Sequence, residues 1–487
     1  MKRVPGTARD ILSKSGKQFP RTDEMLFNSI PFLFIFLPVV YFGFWKLRKK
    51  NHRFVWLTLA GYIFYGMWNY KFCALMAFST LVSYFAGLSF LRWQEPRVRK
   101  LCLVVPITID LLLLGFFKYF NFVLGAFTRL GDWLHAPFHV NGLDIVLPVG
   151  ISFYTFHTIT YIVDSYRRVV VPTKNIFEFS CYVSLFSQLV AGPIVRFRQI
   201  EADLEDLECA DRKRWLDRGW SFIAIGMMKK VLIADTIAGV INPALKEYGR
   251  LSTFGAWLCV LGYAYQLYFD FSGYSDMAVG LGYLFGIRLP QNFNSPYKAA
   301  NIAELWHRWH ISLSTCLRDY VYIPLGGNRG PWWMPYRNMM ITMLLGGLWH
   351  GANWTFVIWG GYHGLLLCLY KASSERWDRL PGIVQRAGTF FLFLFGLILF
   401  RADSFAMAGT IFLKMFSWLP VTAVMPGFYF LVGVMAIAAC IAHLAPNTFE
   451  IKHEWRPWTV TAFATGYAVC LLVIAAGHPT PFLYFQF

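Results

Sequence analysis

Two histidines stand where a hydrophobic chain should least tolerate them, His310 in WHRWHISLSTCLRDYVYIPLGGNRG (306–330) and His350 in MLLGGLWHGANWTF (343–356). An imidazole among Leu, Trp and Gly at membrane depth is costly without a partner or a task, so both mark a candidate site. Neutral imidazole is the side chain best matched, at pH 7, to taking the proton from a hydroxyl as it attacks a thioester. His350 is the candidate base. Gly346, Gly347 and Gly351 flank it, and residues without Cβ let backbone and an acyl thioester come close; an amide there could also stabilise a developing oxyanion. His310 lies on a different element, as a second contact to donor or substrate or as an orienter of His350. An interfacial belt of aromatic and basic residues is the alternative reading of WHRWH.

The elements that must hold these residues are read from composition. Hydrophobic residues make up 56% of 487 and charged residues 15%, with a mean hydropathy of +0.45, values a soluble domain could not disperse over its surface. The expectation is an all-α, polytopic integral membrane protein. Apolar runs fall at roughly 26–45, 54–70, 72–91, 101–124, 145–165, 219–241, 255–287, 339–370, 388–402, 425–445 and 458–477. Each approaches the length needed to cross about 30 Å of hydrocarbon, which gives about ten to twelve spans plus re-entrant pieces. Gly and charge interrupt several. Such breaks are tolerated only where protein or a water-filled cavity covers the backbone, which makes 176–198 and 291–345 candidates for a buried central funnel.

The net charge of +18 does not point to nucleic acid, because Lys and Arg fall in short loops between spans. Lys46, Arg48, Lys49, Lys50 and Arg53 mark one cytoplasmic loop, Arg92, Arg97, Arg99 and Lys100 a second, and Arg167, Arg168 and Lys174 a third. Counting spans between them leaves residue 25 outside, whereas segment 1–24, with Lys2, Arg3, Arg9, Lys14, Lys17 and Arg21, would prefer the cytoplasm. That segment has no apolar core and is not a signal peptide; it reads as a disordered extension or as sequence ahead of a true start at Met25. The nine cysteines show no paired spacing and lie mostly in apolar runs, so neither a disulfide framework nor a structural zinc site is expected. The charged stretch 201–218 is amphipathic enough for a cytoplasmic or interfacial helix.

Two other chemistries compete for the histidines. Glu304 and His307 spell the Glu-x-x-His half of a carboxylate di-iron centre, but the second half is missing, and no metal is expected. Asp110, Asp235, Asp270 and His157 could relay protons in a transporter, yet the matched inverted repeats of a transporter are not visible. Acyl transfer alone explains two histidines, a glycine-rich surround and a cationic segment together.

The wording around the histidines closely resembles the membrane-bound O-acyltransferase family, in particular its bacterial alginate O-acetyltransferase branch. That branch typically reads W-x-R-W-H-x-S-L-S-x-W-L-R-D-Y-x-Y-I-P-L-G-G-N-R followed by G-L-W-H-G-A, and this chain departs from it chiefly at Cys316, where Trp is usual. The resemblance is highly specific over 265–365 and continues, more loosely, from about 25. It implies a transmembrane domain over 25–477 arranged around a central tunnel in the bacterial inner membrane. It further implies a periplasmic esterase-like partner of the SGNH type, with a Ser-His-Asp site, working beside polysaccharide synthesis and export machinery.

Lys298, Arg308, Arg318, Asn328 and Arg329 would then face the cytoplasmic mouth. Charge-assisted contacts there could hold the pantetheine and nucleotide of acetyl-coenzyme A, a substrate and not a bound cofactor; contacts to lipid headgroups account for the same charges. Asp319 is expected to pair with an arginine, and His157 and His363 to serve packing or tunnel lining. The tail 478–487 ends in PFLYFQF. It resembles the C-terminal signature of a small membrane protein that accompanies the related D-alanyl transferase of teichoic acid systems, in which a tyrosine is proposed as acyl carrier. The matching residue is Tyr484, and an interface anchor is the plainer reading of the same tail. A phenol, with pKa about 10, is close to a thiol as a leaving group, so an aryl acetate would keep most of a thioester's transfer potential.

Overall fold

The computed structural model describes residues 26–135, 141–190, 192–418, 427–477 and Leu483, and every regular element among them is helical. The N-terminal half runs α1 (Leu37–Lys46), α2 (Lys50–Asn69), α3 (Lys71–Arg92), α4 (Pro96–Leu114), α5 (Phe120–Trp133) and α6 (Ile151–Tyr166). A π-helical turn, Gly115–Tyr119, joins α4 to α5, so that Pro96–Trp133 forms one continuous stretch of 38 residues. This stretch, α3 and two later helices, Gly382–Arg401 and Pro457–Ala475, are long and apolar enough to cross a membrane by themselves. Together with shorter apolar helices they make the chain a multi-pass membrane protein.

Polar groups inside this half bind helices to one another. Ser79 of α3 and Thr158 of α6 both donate to the Asp110 carboxylate of α4, each at 2.7 Å. A buried carboxylate with two hydroxyl donors is a satisfied structural group, which answers the cost of Asp110 at membrane depth.

Irregular backbone occupies the centre, where the breaks in hydropathy implied it. The chain enters through α7 (Ile176–Ser184) and a single turn α8 (Phe186–Leu189), then extends to α9 (Phe197–Glu205). Residues Cys181 to Val190 and Ile194 to Phe197 are buried throughout. After α10 (Arg212–Met227), a π-helical stretch Met228–Ala234 and α11 (Asp235–Lys246), the 32-residue α12 (Thr253–Leu284) passes through the core, buried on every side over most of its length. Close approach to α10 depends on glycine: a Cβ on Gly226 would strike the Gly273 carbonyl, and one on Gly273 the Gly226 carbonyl.

The segment expected as one amphipathic helix over 201–218 divides instead. Its first part ends α9 and its last part opens α10, with a 3-10 turn, Leu207–Cys209, between them. Two short helices, α13 (Ile302–Arg308) and α14 (Ile311–Leu317), precede the long pair α15 (Met334–His350) and α16 (Trp354–Trp377). The described chain closes with α17 (Gly382–Arg401), α18 (Phe405–Phe416), α19 (Phe428–His443) and α20 (Pro457–Ala475).

The three basic loops lie at one end of the molecule. Asn175 donates to Asn51 at 2.7 Å, Arg99 donates to the Tyr166 carbonyl at 2.8 Å, and Arg167 donates to the Asp319 carbonyl at 3.3 Å. Lys50 reaches the Glu205 carbonyl, and Arg53 the carbonyls of Leu47 and Leu207. Clustering of all three loops on one side is the arrangement that the positive-inside tendency requires.

Candidate active site

His350 is the last residue of α15, where a helix leaves carbonyls without intrahelical partners. Two side chains from the π-helical turn Gly115–Tyr119 take them up. The Tyr119 hydroxyl donates to the Leu348 carbonyl at 2.9 Å, and the Lys118 ammonium to the Trp349 carbonyl, with the His350 carbonyl 3.5 Å away. A cation at the negative end of the helix dipole reinforces this grip. Lys118 was not among the candidate residues of the sequence, although a lysine in the middle of the apolar run 101–124 is the signal that marks it.

Held through its backbone, the His350 ring stands among Trp349, Trp359 and Phe400, with ring centroids 5.0, 5.0 and 5.1 Å away. The residue borders a cavity of about 690 Å³. It also borders a second cavity of about 130 Å³, lined by Lys118, Ser152 and the start of α6. The large cavity carries Arg318, and the neighbouring Asp319 is bonded to Arg167 and so lies near the basic loops. The second adjoins Ile151, the opposite end of the 16-residue α6 from Tyr166, about 24 Å along the helix axis. His350 thus borders both spaces.

The flanking glycines do different jobs. Gly346 lines the large cavity, as an approach point for substrate should. Gly347 instead packs α15 against α16, since a Cβ there would strike the Phe356 carbonyl, and Gly351 lies against the Phe356 ring. The expectation that all three open space for a thioester therefore narrows to one.

His310 is built differently. It caps α14 in the left-handed region, with φ 43° and ψ 54°, a backbone strain that a non-glycine residue keeps only when its surroundings over-determine it. Asn292 supplies that determination. Its Oδ1 is 3.1 Å from His310 Nδ1 and accepts from the Ser312 hydroxyl at 2.8 Å and the Ser312 amide at 3.3 Å. A backbone amide can only donate, so the acceptor oxygen of Asn292 must face this way, and Nδ1 carries the proton. Nε2 is then the basic nitrogen. The ring packs edge-on against Phe271 at 4.7 Å, and the Trp349 indole, 5.9 Å away, stands between it and His350.

The donor candidates divide. Arg318 and Asn328 line the large cavity, where Tyr322 donates to Asn328 at 2.8 Å. Lys298 instead donates to the Ala445 carbonyl at 2.6 Å, and Arg308 is held by Glu304 at 2.8 Å and by the Asn294 carbonyl. These two and Arg329 do not belong to the cavity lining, whereas His307, considered above only as half of a metal motif, and Lys371, not singled out in the sequence, do. Asp319 pairs with Arg196 at 2.6 Å and Arg318 at 2.7 Å, as anticipated. His363 is enclosed by Trp306, Trp359 and Phe393, and His157 lies against Tyr182, both wholly buried. Tyr484 and the segment 1–24 lie outside the described residues.

The model of the membrane-bound O-acyltransferase family matches residues 165–394, which include both histidines and the residues that line the large cavity. A probable alginate O-acetylase from Pseudomonas aeruginosa is 42% identical over 400 residues, covering 81% of this chain and 75% of the relative. A peptidoglycan O-acetyltransferase from Helicobacter pylori is 38% identical over 421 residues, 80% of this chain and 79% of that protein. A teichoic acid D-alanyltransferase from Bacillus subtilis is 28% identical over 302 residues, 56% of this chain and 72% of that protein.

Proposed function

Because the chain belongs to the membrane-bound O-acyltransferase family, in its alginate O-acetyltransferase branch, we propose that this membrane O-acetyltransferase moves acetyl groups from cytoplasmic acetyl-coenzyme A across the inner membrane to an exported polysaccharide. The observation that carries the proposal is the position of His350, which borders both the large cavity beside the basic loops and the smaller one beyond it. Donor would enter the large cavity past Arg318 and Asn328, with its thioester beside Gly346 and His350.

In the first step the Tyr484 hydroxyl attacks the thioester carbonyl while His350 takes its proton. The C–S bond breaks as the C–O bond forms, and the proton passes to the departing thiolate. The resulting aryl acetate is then drawn on by a serine of a periplasmic esterase-like partner of the SGNH type. Dividing the transfer in this way replaces one difficult step with two easier ones. The polymer is of the class that the relatives' names indicate, an alginate or a peptidoglycan.

Mass spectrometry tests the relay. With acetyl-coenzyme A present and the partner absent, the C-terminal peptide should gain one acetyl group on Tyr484, and the adduct should be missing in His350→Ala. Normal polymer acetylation by Tyr484→Phe, which keeps the ring and loses only the hydroxyl, would reduce the tail to an interface anchor.

A further inference from the structure

One turn of α12 borders the surroundings of both histidines. Leu267 borders a small apolar space shared with His350, Trp359 and Phe400. Phe271 packs against His310. Between them Asp270, 1% exposed, takes part in a buried charge cluster: Lys230 lies 2.5 Å from Asp270 and 2.7 Å from Asp235. Lys230 comes from the π-helical stretch Met228–Ala234, brought in by the Gly226–Gly273 approach.

A buried carboxylate needs hydrogen-bond donors as well as a counter-charge. A donor comes from far along the chain. The Leu483 amide donates to Asp270 Oδ2 at 2.9 Å across 213 residues, and the Leu483 side chain is 3% exposed. The chain beyond α20 therefore re-enters the protein core at Leu483.

We propose that Asp270, held by Lys230, is a positioning residue that docks the C-terminal segment, by accepting the Leu483 amide, on the turn of α12 whose Leu267 shares a small apolar space with His350. The acylation role of this dock rests on the Tyr484 reading, because Tyr484 is the next residue in the sequence. Docking itself does not. A carboxylate acceptor makes this backbone bond charge-assisted and roughly twice as strong as a neutral one.

Leu483→Pro removes the amide donor without touching the buried charges, and Leu483→Ile keeps both the donor and the apolar bulk. A photo-reactive benzoylphenylalanine replacing Phe482 reports docking by cross-linking, read by peptide mapping in the full chain. Cross-links to Thr253–Leu284 or Met228–Ala234 are expected in the parent and in Tyr484→Phe, and should fall about ten-fold in Leu483→Pro and in Asp270→Asn. Polymer acetylation should fall by a similar factor of about ten in Leu483→Pro and stay within about two-fold in Leu483→Ile, with unchanged gel-filtration profiles in detergent. Cross-links that persist in Leu483→Pro, or that map to other elements, would overturn the dock. Should Tyr484→Phe remain active while cross-linking stays sensitive to Leu483→Pro, the relay fails and the dock survives.

Discussion

The two histidines are fixed by opposite means. His310 is clamped by its ring, through Asn292, on a strained backbone that buries it completely. His350 is clamped by its backbone, through Lys118 and Tyr119 at the end of α15, and its residue lines open space on two sides. A base must meet substrate and exchange a proton within one turnover, and the grip of Lys118 and Tyr119 falls on the main chain and not on the ring. A ring locked in one tautomer suits a fixed partner better. The contrast supports His350 as the group that meets the reacting atoms and His310 as the group that shapes its surroundings.

The most severe way to break that contrast is His350→Ala. Loss of a general base costs about 10²- to 10⁴-fold in rate, and acetyl transfer in membranes should fall by that much while expression and gel-filtration behaviour persist. Retention of more than a few per cent of activity would return the role to His310. Next in size is Lys118→Met, which keeps the stem and removes the cation that holds the Trp349 carbonyl. With the helix end released, kcat should fall about ten-fold and the KM for donor should hardly change, the pattern of an interaction that matters mainly in the transition state. A change in KM alone would make Lys118 a donor contact.

His310→Ala and Asn292→Ala sharpen the comparison from the other side. If His310 acts from a fixed orientation, Asn292→Ala should reproduce much of the loss seen in His310→Ala, since it frees the ring. It also leaves the buried Ser312 groups short of an acceptor, at about 1–3 kcal/mol of stability. Thermal denaturation in detergent separates the two effects: Asn292→Ala should lower Tm more than His310→Ala, while both reduce transfer. Full activity in Asn292→Ala would show that the locked tautomer has no part in turnover.

Much of this site was legible in the sequence because membrane depth makes polar residues conspicuous. His310, His350, Asp110 and Asp270 stood out against apolar runs, and the breaks at 176–198 and 291–345 marked the buried centre. What escaped was pairing. Nothing in the run GFFKYF says that its lysine and tyrosine will cap a helix more than 200 residues away, as the separations of 229 and 231 residues require. Gly347 and Gly351 read as room for substrate because a glycine's purpose depends on what faces it, here α16 and the Phe356 ring. The cationic cluster read as one surface for a similar reason. Lys298 and Arg308 are close to His310 in sequence, yet they serve the Ala445 carbonyl and Glu304.

The smallest expected effect falls where the large cavity meets the basic end. Arg318 is half exposed and already bonded to Asp319, so a donor phosphate would find a guanidinium whose remaining N–H groups are screened by solvent. Such a contact is worth about 1 kcal/mol, so Arg318→Gln should raise the KM for acetyl-coenzyme A about three- to ten-fold with kcat unchanged. The electrostatic origin can be checked separately. Raising the salt concentration should weaken donor binding by the parent protein and leave the Gln variant nearly unaffected, because exposed charges are screened over a Debye length of about 8 Å at physiological ionic strength. A KM that does not move, together with altered behaviour in membranes rich in anionic lipid, would instead assign Arg318 to lipid headgroups. The comparison would then be sharper still: one wall of the cavity would serve chemistry, at Gly346 and His350, and its mouth only anchorage.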